Sequence, residues 1–81
     1  MTTRNNGTVN SCVRDAAGCT ASVTFPAEEG PPPLEEETII FKLTEEQYED
    51  MKDALGDDLE VDMTWDETAT PKEPTSVGLH K

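Results

Sequence analysis

Residues 38–65 read TIIFKLTEEQYEDMKDALGDDLEVDMTW and carry the clearest secondary-structure pattern of the sequence. It contains two runs in which apolar and polar residues alternate, separated by a segment with helical spacing. In the first run Ile39, Phe41 and Leu43 share one face of a predicted strand. In the second run apolar residues at 59, 61, 63 and 65 alternate with polar ones, which predicts a second strand with one buried face. The stretch therefore predicts a β-α-β unit.

The segment between the two runs carries a helix start and a helix stop. Thr44 and Gln47 stand three residues apart and match a capping box, in which each side chain bonds to the backbone of the other residue. Gly56 matches the glycine that commonly follows a helix. Two strands joined through a helix normally lie parallel with a right-handed crossover, and we expect that here. The stripe facing the sheet consists of Tyr48, Met51 and Leu55.

Residues 8–25 are rich in threonine, valine and serine and predict a β-hairpin. Asp15 and Gly18 flank its turn, with the aspartate opening a type I turn and the glycine closing a three-residue loop with a bulge. This register places Cys12 opposite Ser22. Residues 26–37 are dominated by proline and glutamate, so they predict an extended, solvated linker.

These elements predict an α+β fold: an N-terminal β-hairpin followed by a β-α-β unit, with one helix packed on a small sheet. We expect a flexible leader at 1–7, a single domain at 8–67 that includes the 26–37 linker, and a disordered C-terminal tail at 68–81. The candidate core is thin, as the length of 81 residues requires. Its members are Val9, Val13, Val23, Phe25, Ile39, Phe41, Leu43, Tyr48, Met51, Leu55, Leu59, Val61, Met63 and Trp65.

The most informative bulk property is a net charge of −12. Residues 28–67 hold sixteen of the eighteen carboxylates and two lysines, so the charge is segregated along the chain. Such a chain repels nucleic acid and anionic membranes and is attracted to basic surfaces. With neither a signal-peptide core nor a membrane-spanning run in the sequence, we expect a cytoplasmic protein, or one in the host cytoplasm if it is encoded by a phage.

Little in the sequence supports catalysis or a cofactor. His80 is the single histidine and falls in the predicted tail. Cys12 and Cys19 match neither a zinc ribbon nor a redox Cys-x-x-Cys; free thiols, a disulfide across the hairpin, and half of an intermolecular metal site all stay open. The acidic residues 57–62 lack the glycine of an EF-hand loop. We therefore predict a non-enzymatic protein without metal or cofactor.

The remaining candidate site is a set of carboxylates that we expect to bind a partner. On the predicted helix they are spaced on the order of 3 Å per charge along the axis, similar to the roughly 3.4 Å per strand of the phosphates in duplex DNA. Any acid-rich helix would produce such a spacing, and a solvated face with Lys52 paired to Glu49 is the simpler interpretation. The first candidates are Glu45, Glu46, Glu49, Asp50 and Asp53, and the second are Asp58, Glu60 and Asp62.

In size and charge the chain resembles small acidic viral proteins that phages encode as inhibitors of host defence systems. The resemblance implies a DNA mimic that occupies a basic surface of a partner protein, such as a nucleic-acid-binding protein. The alternative is a small structural or assembly protein, for example a homodimer, whose acidity serves solubility only. In that case Ile40, Phe41 and Trp65 would matter more than the carboxylates.

Overall fold

The computed structural model describes residues 2–31, 33–68 and 72–80, and over these residues it contains five strands and one helix. The α+β class is confirmed. The elements are β1 (Thr2–Asp15), β2 (Gly18–Phe25), β3 (Glu37–Leu43), α1 (Glu45–Gly56), β4 (Glu60–Trp65) and β5 (Pro74–Leu79).

The strands form one sheet in the order β3-β2-β1-β4-β5, and every neighbouring pair is antiparallel. The expected parallel β-α-β unit is therefore wrong, because β4 pairs with β1 and runs opposite to β3. Three consecutive strands, with a fourth that returns by a long connection to lie beside the first, form a Greek key. The helix makes that connection. Sheet order depends on contacts distant in sequence, which local patterns do not encode.

The sheet curls until its two ends meet at one point. Phe41 and Lys72 form a parallel bridge, in which the Lys42 N–H donates to the Lys72 carbonyl at 2.9 Å. The result is a five-stranded, partly open Greek-key barrel, the general architecture of OB-type folds.

The β1–β2 hairpin is present, but its turn is tighter than expected. Asp15 pairs with Gly18, so the loop has two residues, and the Ala17 N–H donates to the Asp15 side chain at 2.8 Å. The register consequently places Cys12 opposite Ala21, and the expected Ser22 partner is wrong. Gly18 adopts a φ of +130°, which a glycine accommodates most readily.

The leader expected at residues 1–7 is, from Thr2 onward, the first half of β1. The Asn-Asn-Gly sequence that indicates a mobile turn instead forms a bulge, with Asn6 at a φ of 60°. A Cβ at Gly7 would come within 2.6 Å of the Phe25 ring. Glycine thus allows β1 to lie directly on the core, which a sequence pattern alone does not reveal.

Arg4 is a buried cation, 3% exposed, that fastens the 26–37 segment to β1. Its Nε donates to Glu28 at 2.9 Å, and its Nη2 donates to the carbonyls of Pro26 at 2.8 Å and Glu35 at 3.3 Å. Its guanidinium also lies 5.6 Å from the centre of the Phe25 ring. The expected solvated linker is therefore folded back against β1 over the residues described.

The helix begins as the sequence predicts and packs with a slightly different face. Both bonds of the capping box between Thr44 and Gln47 are present. Met51 and Ala54 are buried, whereas Leu55, expected in the buried stripe, is 39% exposed. The left-handed residue that follows the helix is Asp58, with a φ of 55°, rather than the expected glycine.

Three aromatic rings from β2, β3 and β4 form the centre of the core. The Trp65 ring stacks on Phe25 at 5.5 Å and meets Phe41 edge-on at 5.1 Å. The Trp65 indole nitrogen is buried without a hydrogen-bond partner in the described chain, so ring packing holds it. Val13, predicted to be in the core, is 50% exposed because the two-residue turn places it on the outer face.

The tail expected to be disordered contains β5, which pairs with β4. Val77 and Leu79 are partly buried against the core, and Pro74 is buried. The segment has few large apolar residues, so its order comes from pairing with β4 rather than from its own composition. Residues 69–71 and 81 of that expected tail lie outside the described residues.

We predict that Arg4→Met destabilises the protein by about 2–4 kcal/mol, because it leaves Glu28 and two carbonyls without their buried donor. Arg14→Met is the matched control, since it removes the same charge from a side chain that is 55% exposed; its cost should be much smaller than that of Arg4→Met. Urea unfolding of both variants measures the difference. Equal losses would contradict the role given to Arg4.

Candidate functional site

The helix presents its carboxylates on the side opposite its buried residues. At 100° per residue, Glu49 and Asp53 point almost directly away from Met51. Glu45 and Glu46 flank them, and all four of these carboxylates are exposed, whereas Asp50 stands at the edge of this side and is half-buried. We call Glu45, Glu46, Glu49 and Asp53 the acidic face of α1.

Glu45 is the acidic-face residue that has an ion-pair partner in the described structure. Its Oε2 lies 3.2 Å from Nη1 of Arg14, whose guanidinium lies 5.6 Å from the centre of the Tyr48 ring. The hydrogen bond to Glu45 raises the pKa of Arg14 above its ordinary value. The simpler interpretation paired Lys52 with Glu49, and the described residues show no such contact. Most of the acidic face is thus not neutralised by the protein's own side chains.

The arrangement of these carboxylates is unfavourable for the helix itself. Glu45, Glu49 and Asp53 follow one another at i, i+4 spacing, and each such like-charge pair costs a few tenths of a kcal/mol, about 0.2–0.5. Asp53 and Asp57 also lie near the C-terminal end of α1, where the helix dipole favours cations and where no basic residue stands in the last turn. Glu45 and Glu46 stand in the first turn, where the dipole favours carboxylates. The destabilising part of the acidic face is therefore its C-terminal half, Glu49 and Asp53.

The second group of predicted site residues follows α1 directly. The Leu59 N–H donates to the Ala54 carbonyl at 2.9 Å, which holds the start of β4 against the end of the helix. Asp58 in the turn and Glu60 at the start of β4 are exposed and lie beside that contact. The structure thus places these two carboxylates next to the C-terminal end of α1.

Asp62 differs from the other site residues because its oxygens are already bonded. It accepts the Asn6 N–H at 3.1 Å and lies 2.6 Å from Nε2 of His80. These bonds, first the one to His80, lower the pKa of Asp62 below its ordinary value of 3.8. His80, expected to be solvated in a tail, follows β5 and joins it to β4. The Asp62 carboxylate is therefore engaged in contacts within the protein that join β4 to β1 and to the end of β5.

A second surface, which the sequence reasoning missed, covers the outer side of β1, β2 and β3. The Asn10 amide donates to the Thr24 hydroxyl at 2.7 Å, and that hydroxyl lies 2.8 Å from the Thr38 hydroxyl. The alternation of polar and apolar residues within the hairpin sequence could have revealed this surface. This threonine-rich face consists of Thr8, Ser11, Val13, Thr20, Ser22, Thr24, Thr38, Ile40 and Lys42.

Cys12 and Cys19 are both free and lie on the inner side of the hairpin. They occupy diagonal positions, since Cys12 faces Ala21 and Cys19 faces Arg14. Diagonal neighbours are about 7–8 Å apart, farther than the roughly 4.4–6.8 Å between the Cα atoms of a disulfide. Burial raises the pKa of both thiols.

The part of the chain that the structure describes has neither a metal-binding cluster nor a membrane-spanning helix. Over residues 2–31, 33–68 and 72–80, no three histidine, cysteine, aspartate or glutamate side chains are grouped to hold a metal ion. The helix that the structure describes is too short and too polar to cross a membrane. In comparisons with protein families, curated proteins and solved structures, no match to this chain was found.

We predict that the Asp62 contacts stabilise the protein above the ordinary aspartate pKa and are lost as the pH falls below it. The sign follows because Asp62 has a lower pKa in the folded state than the value of 3.8 in the unfolded chain. Thermal unfolding between about pH 6 and pH 2 should therefore show a smaller loss of stability in Asp62→Asn than in the parent. Glu60→Gln, on the same strand face, is the control and should retain the parent's pH dependence.

Proposed function

We propose that this chain is a protein-binding module that uses the acidic face of α1, together with Asp58 and Glu60, to occupy a basic surface of a partner protein. The observation that carries the proposal is the concentration of carboxylates on one exposed side of an ordered helix, where all but Glu45 lack an ion-pair partner in the described chain. A basic partner would supply the missing cations and steer association electrostatically.

The unfavourable placement of these carboxylates supports a role in binding. Solubility requires net charge, and charge dispersed over the surface would provide it without repulsion along the helix. Lysines in the last turn of α1 would also stabilise the helix through its dipole. A sequence that retains aspartates there loses stability, which is expected where the residues serve recognition.

We propose further that the basic surface normally holds nucleic acid, so that the module acts as a nucleic-acid-mimicking inhibitor. The acidic-face spacing, on the order of 4 Å per charge along the helix axis, supports this, because it is similar to the spacing of duplex phosphates, about 3.4 Å.

The outer face of β2 and β3 supports a mimic rather than a binder of nucleic acid. OB-type barrels bind oligonucleotides on this face, and single-strand binding relies on basic grooves and stacking aromatics. Here the face presents Thr20, Ser22, Thr24, Thr38, Ile40 and a single cation, Lys42.

A charge-reversal experiment tests the proposal. Glu49→Lys/Asp53→Lys should lose partners that the parent chain captures from its source cell, as read by mass spectrometry. Glu29→Lys/Glu67→Lys is the matched control, because it makes the same charge change at exposed residues outside α1. Binding to a captured partner should weaken steeply with salt. Equal retention by both variants, or salt-independent affinity, would refute the proposal.

The stability of the isolated protein provides a second measurement. Glu49→Lys turns three like-charge pairs, with Glu45, Glu46 and Asp53, into opposite-charge pairs and turns the pair with Lys52 into a like-charge one. We expect a gain of about 1–2 kcal/mol in urea unfolding. A variant that is more stable yet no longer binds would separate recognition from folding.

A second candidate is a structural or assembly protein, favoured by the exposed apolar residues of the threonine-rich face. Ile40 is 67% and Val13 50% exposed, while Phe41 and Trp65, named with Ile40 in the assembly hypothesis, are buried. On this alternative the acidic face is not needed for binding, and Glu49→Lys/Asp53→Lys leaves every interaction with a partner unchanged.

A further inference from the structure

Arg14 places a guanidinium against the start of the acidic face of α1. Its Nη1 donates to Oε2 of Glu45 at 3.2 Å, and its guanidinium carbon lies over the Tyr48 ring, 5.6 Å from the ring centre. Glu45 and Tyr48 stand three residues apart on α1, so their side chains are neighbours on the helix surface. Arg14 belongs to β1, so the cation reaches the helix from the hairpin.

The carboxylate and the aromatic ring contact a guanidinium in two different ways. The Glu45 carboxylate accepts an N–H group, and the Tyr48 ring interacts with the delocalised positive charge. A planar guanidinium can make both contacts at once, whereas the ammonium of lysine is a compact and strongly hydrated charge. Glu45 and Tyr48 therefore suit arginine better than lysine, and we call this pair the guanidinium site.

The Arg14 side chain fills the guanidinium site without being locked into it. The side chain of Arg14 is 55% exposed and that of Glu45 is 72% exposed. Exposed ion pairs and exposed cation–π contacts are both weak, because water competes for the partners. A cation from another molecule can therefore reach the same atoms once the Arg14 side chain moves away.

We propose that the guanidinium site binds an arginine side chain of a partner protein, and that Arg14 fills this site in the free protein and is displaced on binding. The inference rests on the proposed function, because it names the chemistry of the partner that the acidic face binds. The other carboxylates of the acidic face accept cations of either kind, whereas the guanidinium site selects arginine. Arg14 thus weakens association by competing with the partner for Glu45 and Tyr48.

Two peptides of equal length and charge, a glycine–arginine repeat and a glycine–lysine repeat, test the inference on the full chain. NMR titration at about 0.15 M salt, where the Debye length is roughly 8 Å, measures the affinity of each peptide. Arg14→Ala empties the site and should strengthen binding of the arginine peptide about three- to fivefold, because one exposed ion pair no longer has to be displaced. The lysine peptide should gain less than about twofold.

Two controls separate displacement of Arg14 from a change in net charge. Lys52→Ala removes the same charge from an exposed residue of α1 and should strengthen binding of both peptides alike, by less than about twofold. Arg14→Lys keeps the net charge but supplies a poorer occupant, so it should favour the arginine peptide by a smaller factor than Arg14→Ala. Equal effects of Arg14→Ala and Lys52→Ala, or equal gains for the two peptides, would overturn the inference.

Variants of Tyr48 test the aromatic part of the site in the Arg14→Ala background. Tyr48→Phe keeps a ring and should retain the preference for the arginine peptide, whereas Tyr48→Leu should lose it. Far-UV circular dichroism checks that each variant is folded. Glu45→Gln changes an exposed side chain and should lose the preference as well, so the test does not depend on the folding of Tyr48→Leu. An arginine preference that survives both changes would contradict the assigned site.

The outcome also distinguishes this inference from the proposed function on which it rests. Salt-dependent binding of both peptides that is lost in Glu49→Lys/Asp53→Lys, without any preference for arginine, would overturn the inference and leave the proposed function intact. Absence of binding by the arginine peptide in Arg14→Ala would overturn the inference too. The capture of partners from the source cell tests the proposed function separately.

Discussion

The fold depends on the buried guanidinium of Arg4. A cation that is 3% exposed is costly to desolvate, and here its donors reach Glu28 and the carbonyls of Pro26 and Glu35. Those acceptors lie at both ends of a proline-rich segment that cannot form a ladder of its own. Satisfying Arg4 therefore fixes the path from β2 to β3, and with it the position of β3 beside β2. The same guanidinium lies against Phe25, so the hydrogen-bonded end of the barrel and its aromatic core are ordered together.

The sequence predicts those parts of the fold whose causes are local. The capping box, the alternation of β4 and the first hairpin all appear, because each depends on residues close in the chain. The sheet order does not follow, since nothing near β4 specifies pairing with β1 rather than with β3. β5 and the first half of β1 were missed because both are polar, and their order comes from pairing. The predicted turn was one residue longer than the observed one. Because side chains alternate faces along a strand, this error placed Val13 in the core.

For the candidate site, the sequence predicted which carboxylates α1 carries better than it predicted their exposure and their hydrogen bonds. The helical period correctly places Glu49 and Asp53 on the exposed side of α1. It does not show that Asp50 is half-buried, nor that Asp62 is bonded to Asn6 and His80, since these depend on the packing of α1 and on the unpredicted β5. The charge that is segregated along the sequence is also segregated between two surfaces of the fold, which the sequence does not show. Acids gather on α1 and beside it, while the outer side of the hairpin carries a network of threonine hydroxyls.

The cap of α1 also holds β5 in place. The Gln47 side chain both completes the helix cap, by accepting from the Thr44 N–H, and donates to the Pro74 carbonyl at 2.8 Å. This contact draws β5 toward the start of α1, past the end of β3, after a single bridge at Lys72. The capped helix thus has two roles: its outer side displays the carboxylates, and its Gln47 side chain anchors β5 to the start of α1.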